Sequence, residues 1–88
     1  MSVMVKKPTQ AEAAHMLTKP VWTCGVSKFD WYYDSEETCL LVEGEVTVSY
    51  QGGSVSFGAG DYVTFLQGLS CVWDVSKPVK KHYVFRVC

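Results

Sequence analysis

The sequence predicts an all-β protein, a small antiparallel barrel or sandwich that begins with one short helix. Beyond residue 21, short runs of β-branched and aromatic residues alternate with glycine-containing turns, a pattern typical of such folds. Some runs, such as 46–50, place apolar side chains at every second position, as half-buried strands do. With 88 residues, 48% hydrophobic and 19% charged, the chain has the composition of one globular domain spanning residues 1–88.

The N-terminal part predicts an arm followed by a helix. Residues 1–7 show no periodic pattern and are expected to form a loose arm or an edge strand. Thr9 and Glu12 have the spacing of a capping box, in which each side chain bonds a backbone N–H at the start of a helix. The alanine-rich residues that follow favour about two helical turns. Pro20 ends this helix because the residue before a proline avoids the helical conformation.

The rest of the chain predicts short strands joined by turns. The predicted strands lie at 28–33, 40–42, 46–50, 54–57, 62–65, 69–75 and 80–87. Gly44 is expected to form a tight turn between the second and third of these. Pro78 is expected to break the chain before the last one. Periodicity alone leaves a jelly roll, another barrel and a small sandwich open.

Two glycine-framed motifs narrow this choice. The first spans 25–44 and the second spans 60–75. Together they resemble the two motifs of the cupin superfamily, and the chain resembles the compact single-domain cupins that are similar to the cupin domain of ureidoglycine aminohydrolase. The strings that carry the resemblance are 28–34, 37–38, 42–44, 58–61, 68–71, 73–75 and 81–83. The resemblance implies a small antiparallel jelly-roll (cupin) barrel and, as in many small cupins, a homodimer.

The motifs keep their spacing but lose most of the residues that hold a metal in other cupins. Metal-binding members place two histidines and a glutamate in the first motif and one histidine in the second. Here the histidine positions hold Trp31, Tyr33 and Cys71, and only Glu37 matches. No cofactor is therefore predicted. A divalent metal stays open as an alternative, with Glu37, Cys71 and His82 as weak candidate ligands for a soft ion such as zinc.

Strand alternation predicts which side chains share the barrel interior. The predicted ligand-binding pocket consists of Trp31, Tyr33, Glu37, Cys39, Cys71 and Trp73, with His82 or Tyr83 added from the last strand. An aromatic lining with few polar groups is the usual composition of a small-molecule site. The alternative is a filled core, in which these side chains occupy the space of the lost metal. That alternative predicts a loss of roughly 3–5 kcal/mol for Trp31→Ala.

Three residues are candidates for catalysis: Glu37, Cys71 and His82. Glu37 is either a structural anchor that accepts a hydrogen bond from Tyr33 or Trp31, or a general acid or base. Cys71 is either an inert core thiol or a nucleophile, for which His82 is the candidate base.

Two aspartates receive structural interpretations instead. Asp61 is expected to cap its turn by accepting backbone hydrogen bonds. Asp74 is expected to pair with Lys81 at the surface, where an ion pair contributes little.

The leading functional hypothesis is a metal-free or degenerate cupin that binds a small organic ligand in an aromatic-lined barrel. The alternatives are an enzyme acting on a small nitrogenous metabolite, with Glu37 and a soft metal at Cys71 and His82, and a structural or protein-interaction module. A net charge of −1 with scattered lysines argues against nucleic acid. No apolar run approaches the ~20 residues of a membrane span. No secretory signal is visible, so reduced cysteines and a cytoplasmic location are expected.

Overall fold

The computed structural model describes residues 3–86, which form seven strands and one helix. In chain order these are β1 (Val3–Lys6), α1 (Gln10–Met16), β2 (Val21–Cys24), β3 (Ser27–Tyr32), β4 (Glu36–Tyr50), β5 (Gly53–Gly58), β6 (Tyr62–Phe65) and β7 (Ser70–Arg86). All strand pairs are antiparallel. The last residue of the final predicted strand, at 87, and Cys88 lie outside the described residues.

The N-terminal predictions are confirmed. The Thr9 hydroxyl accepts a hydrogen bond from the Glu12 backbone N–H at 3.1 Å, and the Glu12 carboxylate accepts one from the Thr9 N–H at 2.9 Å. This capping box starts α1, which buries Met16. Of the two predictions for residues 1–7, the edge strand is the one observed in the described part of this segment, where β1 pairs with β6 and ends the strand order; residues 1–2 lie outside the described residues.

Two long strands, β4 and β7, connect the halves of the barrel. The first half of β4 pairs with β6 and with the C-terminal half of β7. Its second half pairs with β5 and with the N-terminal half of β7. The strands β2 and β3 then add to different parts of β7. This antiparallel arrangement, in which two long strands pair with each other along both of their halves, is the predicted jelly-roll barrel.

The predicted strand breaks at Gly44 and Pro78 are wrong, since β4 and β7 run through both residues. The register between the strands shifts between Leu41 and Val46, so Gly44 lies in an irregular bend instead of a turn. Gly44 has a φ of +106°. A Cβ there would lie 2.5 Å from the Pro78 carbonyl oxygen and 2.8 Å from the Val79 Cα. Glycine is therefore required because the paired backbones of β4 and β7 approach closely at this irregular bend, a reason that a single sequence does not reveal.

The core lies inside the barrel. Its buried aromatic residues are Tyr33, Phe57, Phe65 and Trp73. The Tyr33 ring stacks on Phe65 with centroids 4.7 Å apart. Each such side chain contributes about 1.5–3 kcal/mol when fully buried. Within residues 3–86, no helix is long and apolar enough to cross a membrane.

Candidate functional site

A cavity of about 160 Å³ opens into the barrel. Nine residues line it: Trp22, Phe29, Trp31, Tyr33, Glu37, Trp73, Lys81, Tyr83 and Phe85. The exposed fractions of the lining residues distinguish the inner wall of the cavity from its mouth. Glu37 and Lys81 are only 3% and 5% exposed, whereas Trp31 and Phe85 are 47% and 40% exposed. The cavity therefore has an aromatic mouth and a charged inner end.

The inner end is a buried ion pair. The Lys81 Nζ lies 2.8 Å from the Glu37 Oε2, and both side chains are almost completely buried. Lys81 comes from β7, opposite Leu41 of β4, and Glu37 lies near the start of β4. In a site of low dielectric each charge depends on the other, because removing one partner leaves an uncompensated charge.

Two indole rings complete the surroundings of the ammonium group. The Lys81 Nζ lies 4.9 Å from the centre of the Trp22 ring and 4.7 Å from that of Trp73. A cation at this distance from an aromatic face is attracted by the ring quadrupole. One carboxylate and two indoles therefore hold the lysine head group in a fixed place beside the cavity.

A second polar group of the inner wall is the Tyr33 hydroxyl. It accepts a hydrogen bond from the Trp73 Nε1 at 3.1 Å. Burial, reinforced by the charge of Glu37, raises the pKa of Tyr33 far above its ordinary value, so the hydroxyl stays protonated. Among the hydrogen bonds of residues 3–86, none takes the Tyr33 proton and none uses the Glu37 Oε1. Since both residues line the cavity, one donor and one acceptor are available there to a bound molecule.

Four of the six predicted pocket residues line this cavity: Trp31, Tyr33, Glu37 and Trp73. Cys39 and Cys71 do not. Cys39 is completely buried, and burial raises its thiol pKa to about 12. The Cys71 thiol donates to the Trp31 carbonyl at 3.6 Å, and burial, followed by the charge of Glu37, raises its pKa to about 11. Both thiols are neutral near pH 7, which is the state of a core residue.

His82 lies on the other side of its strand. Its Nδ1 is 2.9 Å from the Lys19 carbonyl oxygen, in the segment that follows α1. Because neighbours on a strand point to opposite faces, the inward position of Lys81 directs His82 outward. The structure therefore does not bring Cys71 and His82 together, whereas Tyr83 of the same strand lines the cavity.

The residues do not fit the metal that other cupins hold. In the described part of the chain no three His, Cys, Asp or Glu side chains cluster as metal ligands. The Glu37 carboxylate already has a cation beside it, the Lys81 ammonium. A metal at Glu37 would have to displace this lysine and would find indoles and neutral thiols in place of imidazoles.

Lys81 is the main residue that the sequence interpretation missed. Its expected surface pair with Asp74 is wrong, because Lys81 faces inward and bonds Glu37. For the same reason the expected donors to Glu37, Tyr33 or Trp31, are replaced by Lys81. A signal existed: alternate positions from Val79 onward are apolar except for Lys81, which places the lysine on the inward face.

The prediction for Asp61 is confirmed. Its Oδ2 accepts the Gly58 backbone N–H at 2.8 Å, and its Oδ1 bonds the Lys7 Nζ at 2.8 Å. Partial burial alone raises the pKa of Asp61, but these hydrogen bonds outweigh it and hold that pKa below the ordinary value. Asp61 is thus a structural cap of its turn and does not line the cavity.

Comparison with known proteins identifies the family. The profile of the EutQ-like cupin domain matches residues 11–83. A DUF861 family protein from Thermotoga maritima has a similar structure, with 42% identity and a TM-score of 0.91 over 96% of this chain and 99% of that chain. A DUF861 family protein from Pseudomonas syringae shares 29% identity at a TM-score of 0.67, over 75% of this chain and 29% of that chain.

A more distant structure shows the fold alone. A putative ethanolamine utilization protein Q from Salmonella typhimurium has 19% identity and a TM-score of 0.68, with 94% of this chain and 68% of that chain covered. No curated protein matches this chain.

Proposed function

The chain belongs to the EutQ-like cupin domain family, and from this premise we propose that it binds a small organic molecule inside its barrel without a metal. The single observation that carries the proposal is the cavity with an aromatic mouth and a buried Lys81–Glu37 pair at its inner end. Small-molecule sites combine mostly apolar walls with a few polar groups that fix orientation.

The cavity limits the size and chemistry of the ligand. Its volume of about 160 Å³ is close to that of a ~150 Å³ apolar cavity known to hold one benzene molecule. The inner end offers the Lys81 N–H groups and the Tyr33 hydroxyl as donors, and the Glu37 Oε1 as an acceptor. We therefore expect a ligand with one ring or a short aliphatic body and one small polar head that accepts hydrogen bonds.

Fragment binding tests this proposal. Benzyl alcohol, benzamide and their aliphatic counterparts are titrated while the indole N–H resonances of Trp22 and Trp73 are followed by NMR. Binding at one site should shift both resonances, and ligand at ~100 times Kd should add about 2.7 kcal/mol to the free energy of unfolding. Lys81→Met should weaken binding, whereas Lys80→Met, at an exposed neighbour on the outer face, should not. Failure of every fragment to shift the two indoles would refute the proposal.

A second candidate function is metal-free catalysis on a small nitrogenous metabolite. The sequence resemblance to the cupin domain of ureidoglycine aminohydrolase suggests this substrate class. The observation that favours it is the charged pair beside the cavity, where Glu37 can act as general base and Lys81 can stabilise a developing negative charge. Release of ammonia from ureido compounds, measured with purified protein and with Glu37→Gln, tests it. Equal release by both proteins would contradict it.

We also propose that the chain forms a homodimer in the cytoplasm. The edge strand β1 exposes Met4 and Val5, and an exposed apolar edge strand pairs readily with another chain. This same surface is what an interaction module would use. The cysteines at 24, 39 and 71 are all free, which agrees with a reducing compartment. Sedimentation of the protein and of Val5→Lys measures the oligomeric state; two monomeric species of the same mass would disprove the dimer.

A further inference from the structure

We propose that Lys81 is a nucleophile that holds a small aldehyde in the cavity as an imine, with Glu37 as the group that takes and returns its proton. This inference rests on the proposed function in one respect, because both use the same cavity. It adds a chemical class of ligand, small carbonyl compounds, and a covalent bond.

The position of Lys81 distinguishes it from the other lysines. Within residues 3–86, Glu37 and Lys81 are the only charged residues that are buried. Lys81 also lines the cavity, so a molecule bound there meets its Nζ. Lysines placed in apolar pockets are the residues with which enzymes form imines, because their amine is shielded from water. Lys80, its exposed neighbour, has the same chemistry without these surroundings.

The ion pair supplies the proton transfer that such a reaction needs. The Lys81 ammonium passes one proton to the Glu37 Oε2, 2.8 Å away. The freed nitrogen lone pair attacks the carbonyl carbon, and the C=O π electrons move to the oxygen. A proton then moves from nitrogen to that oxygen, which gives a neutral carbinolamine.

Loss of water completes the reaction. Glu37 returns its proton to the carbinolamine hydroxyl, the C–O bond breaks as water leaves, and the nitrogen lone pair forms the C=N bond. An ammonium and an aldehyde have become a protonated imine and water, without any oxidant or reductant. The positive charge remains on the same nitrogen, so the contact with the Glu37 carboxylate and with the rings of Trp22 and Trp73 is retained in the product.

The remaining wall groups suit the rest of an aldehyde. The Tyr33 hydroxyl, held protonated by burial, is a donor for the carbonyl oxygen as it gains charge. The aromatic mouth at Trp31 and Phe85 receives the apolar body. With space for about one ring, the site fits aromatic or short aliphatic aldehydes.

Reductive trapping tests the inference. The protein is incubated with benzaldehyde and sodium cyanoborohydride, and modified lysines are located by peptide mass spectrometry. We expect one benzyl group per chain on Lys81, added at least about tenfold faster than on Lys80, a difference in barrier of about 1.4 kcal/mol. Glu37→Gln should slow labelling at Lys81 and leave Lys80 unchanged. Lys81→Arg, which keeps the charge but cannot form the imine, should lose the fast label.

Two controls keep the result interpretable. Circular dichroism of each variant checks that it is folded. If a variant does not fold, the comparison of labelling at Lys81 and Lys80 in the wild-type protein still tests the imine. Benzyl alcohol, which has the same ring but no carbonyl, tests the cavity alone. Labelling that favours Lys80 over Lys81, while benzyl alcohol still binds, would overturn the imine and leave the proposed function intact. Absence of both would overturn both.

Discussion

Two regions of the barrel are stabilised by different kinds of interaction. At the inner end of the cavity, Lys81 and Glu37 form a buried ion pair between aromatic rings, beside open space. At the irregular bend between β4 and β7, Gly44 leaves no room even for a methyl group against Pro78 and Val79. This bend is fixed by backbone contact and presents no reactive side chain at Gly44. The inner end of the cavity is stabilised by two opposite charges, and it retains polar groups that can bond a ligand.

Between the ion pair and the bend at Gly44, the larger effect should come from separating the ion pair. Lys81→Met leaves the Glu37 carboxylate buried without a cation, and we expect the free energy of unfolding to fall by about 3–5 kcal/mol. The double variant Lys81→Met, Glu37→Gln should recover most of this loss, because no unpaired charge remains. Urea denaturation of the two variants measures both values. A single variant as stable as the wild type would show that the pair does not hold this end of the barrel.

The next effect concerns the bend at Gly44. Gly44→Ala requires a Cβ within 2.5 Å of the Pro78 carbonyl oxygen and a positive φ at a non-glycine residue. Such strain costs on the order of 1–3 kcal/mol. Gly52→Ala provides the control, since it also has a positive φ but its Cβ would meet nothing within 4 Å. The difference between the two denaturation midpoints isolates the backbone contact, and equal midpoints would assign the whole effect to φ.

Cys39 lies on β4 between the two regions and links stability to alkaline pH. Its pKa is raised by burial to about 12, above the value in the unfolded chain. The stabilisation is therefore complete below the unfolded pKa of about 8.5 and is lost as pH rises towards 12. Between pH 9 and 10 we expect a loss of about 1.4 kcal/mol per pH unit from this thiol. Cys39→Ala should flatten this slope; an unchanged slope in urea titrations would assign it to other groups.

The smallest effect should be at the mouth of the cavity. Trp31 is 47% exposed, so Trp31→Ala should cost about 1 kcal/mol, whereas Trp73→Ala, at a side chain 2% exposed, should cost about 3–5 kcal/mol. Thermal unfolding of the two variants measures the contrast. A loss at Trp31 equal to that at Trp73 would favour the filled-core alternative over an open cavity.

Much of the fold was visible in the sequence because it depends on local chemistry. The capping box of Thr9 and Glu12 and the turn cap of Asp61 each involve residues three apart along the chain. The strand at Tyr62–Phe65 has the predicted bounds because turn residues frame it. The spacing of the two motifs was enough to predict the jelly roll and a cupin domain, though not the EutQ-like family, and alternation placed Trp31, Tyr33, Glu37 and Trp73 around one space.

The tertiary structure alone decided what that space contains. Lys81 and Glu37 are 44 residues apart in sequence and meet only because the ends of β4 and β7 pair. The same pairing turns His82 outward and leaves Gly44 pressed against Pro78, where the sequence suggested a ligand and a turn. A long-range contact depends on the register of two distant strands, and a shift of one residue would exchange Lys81 for His82 inside the barrel. The local sequence pattern therefore determined the barrel fold, whereas the strand register determined that a lysine is the cation inside it.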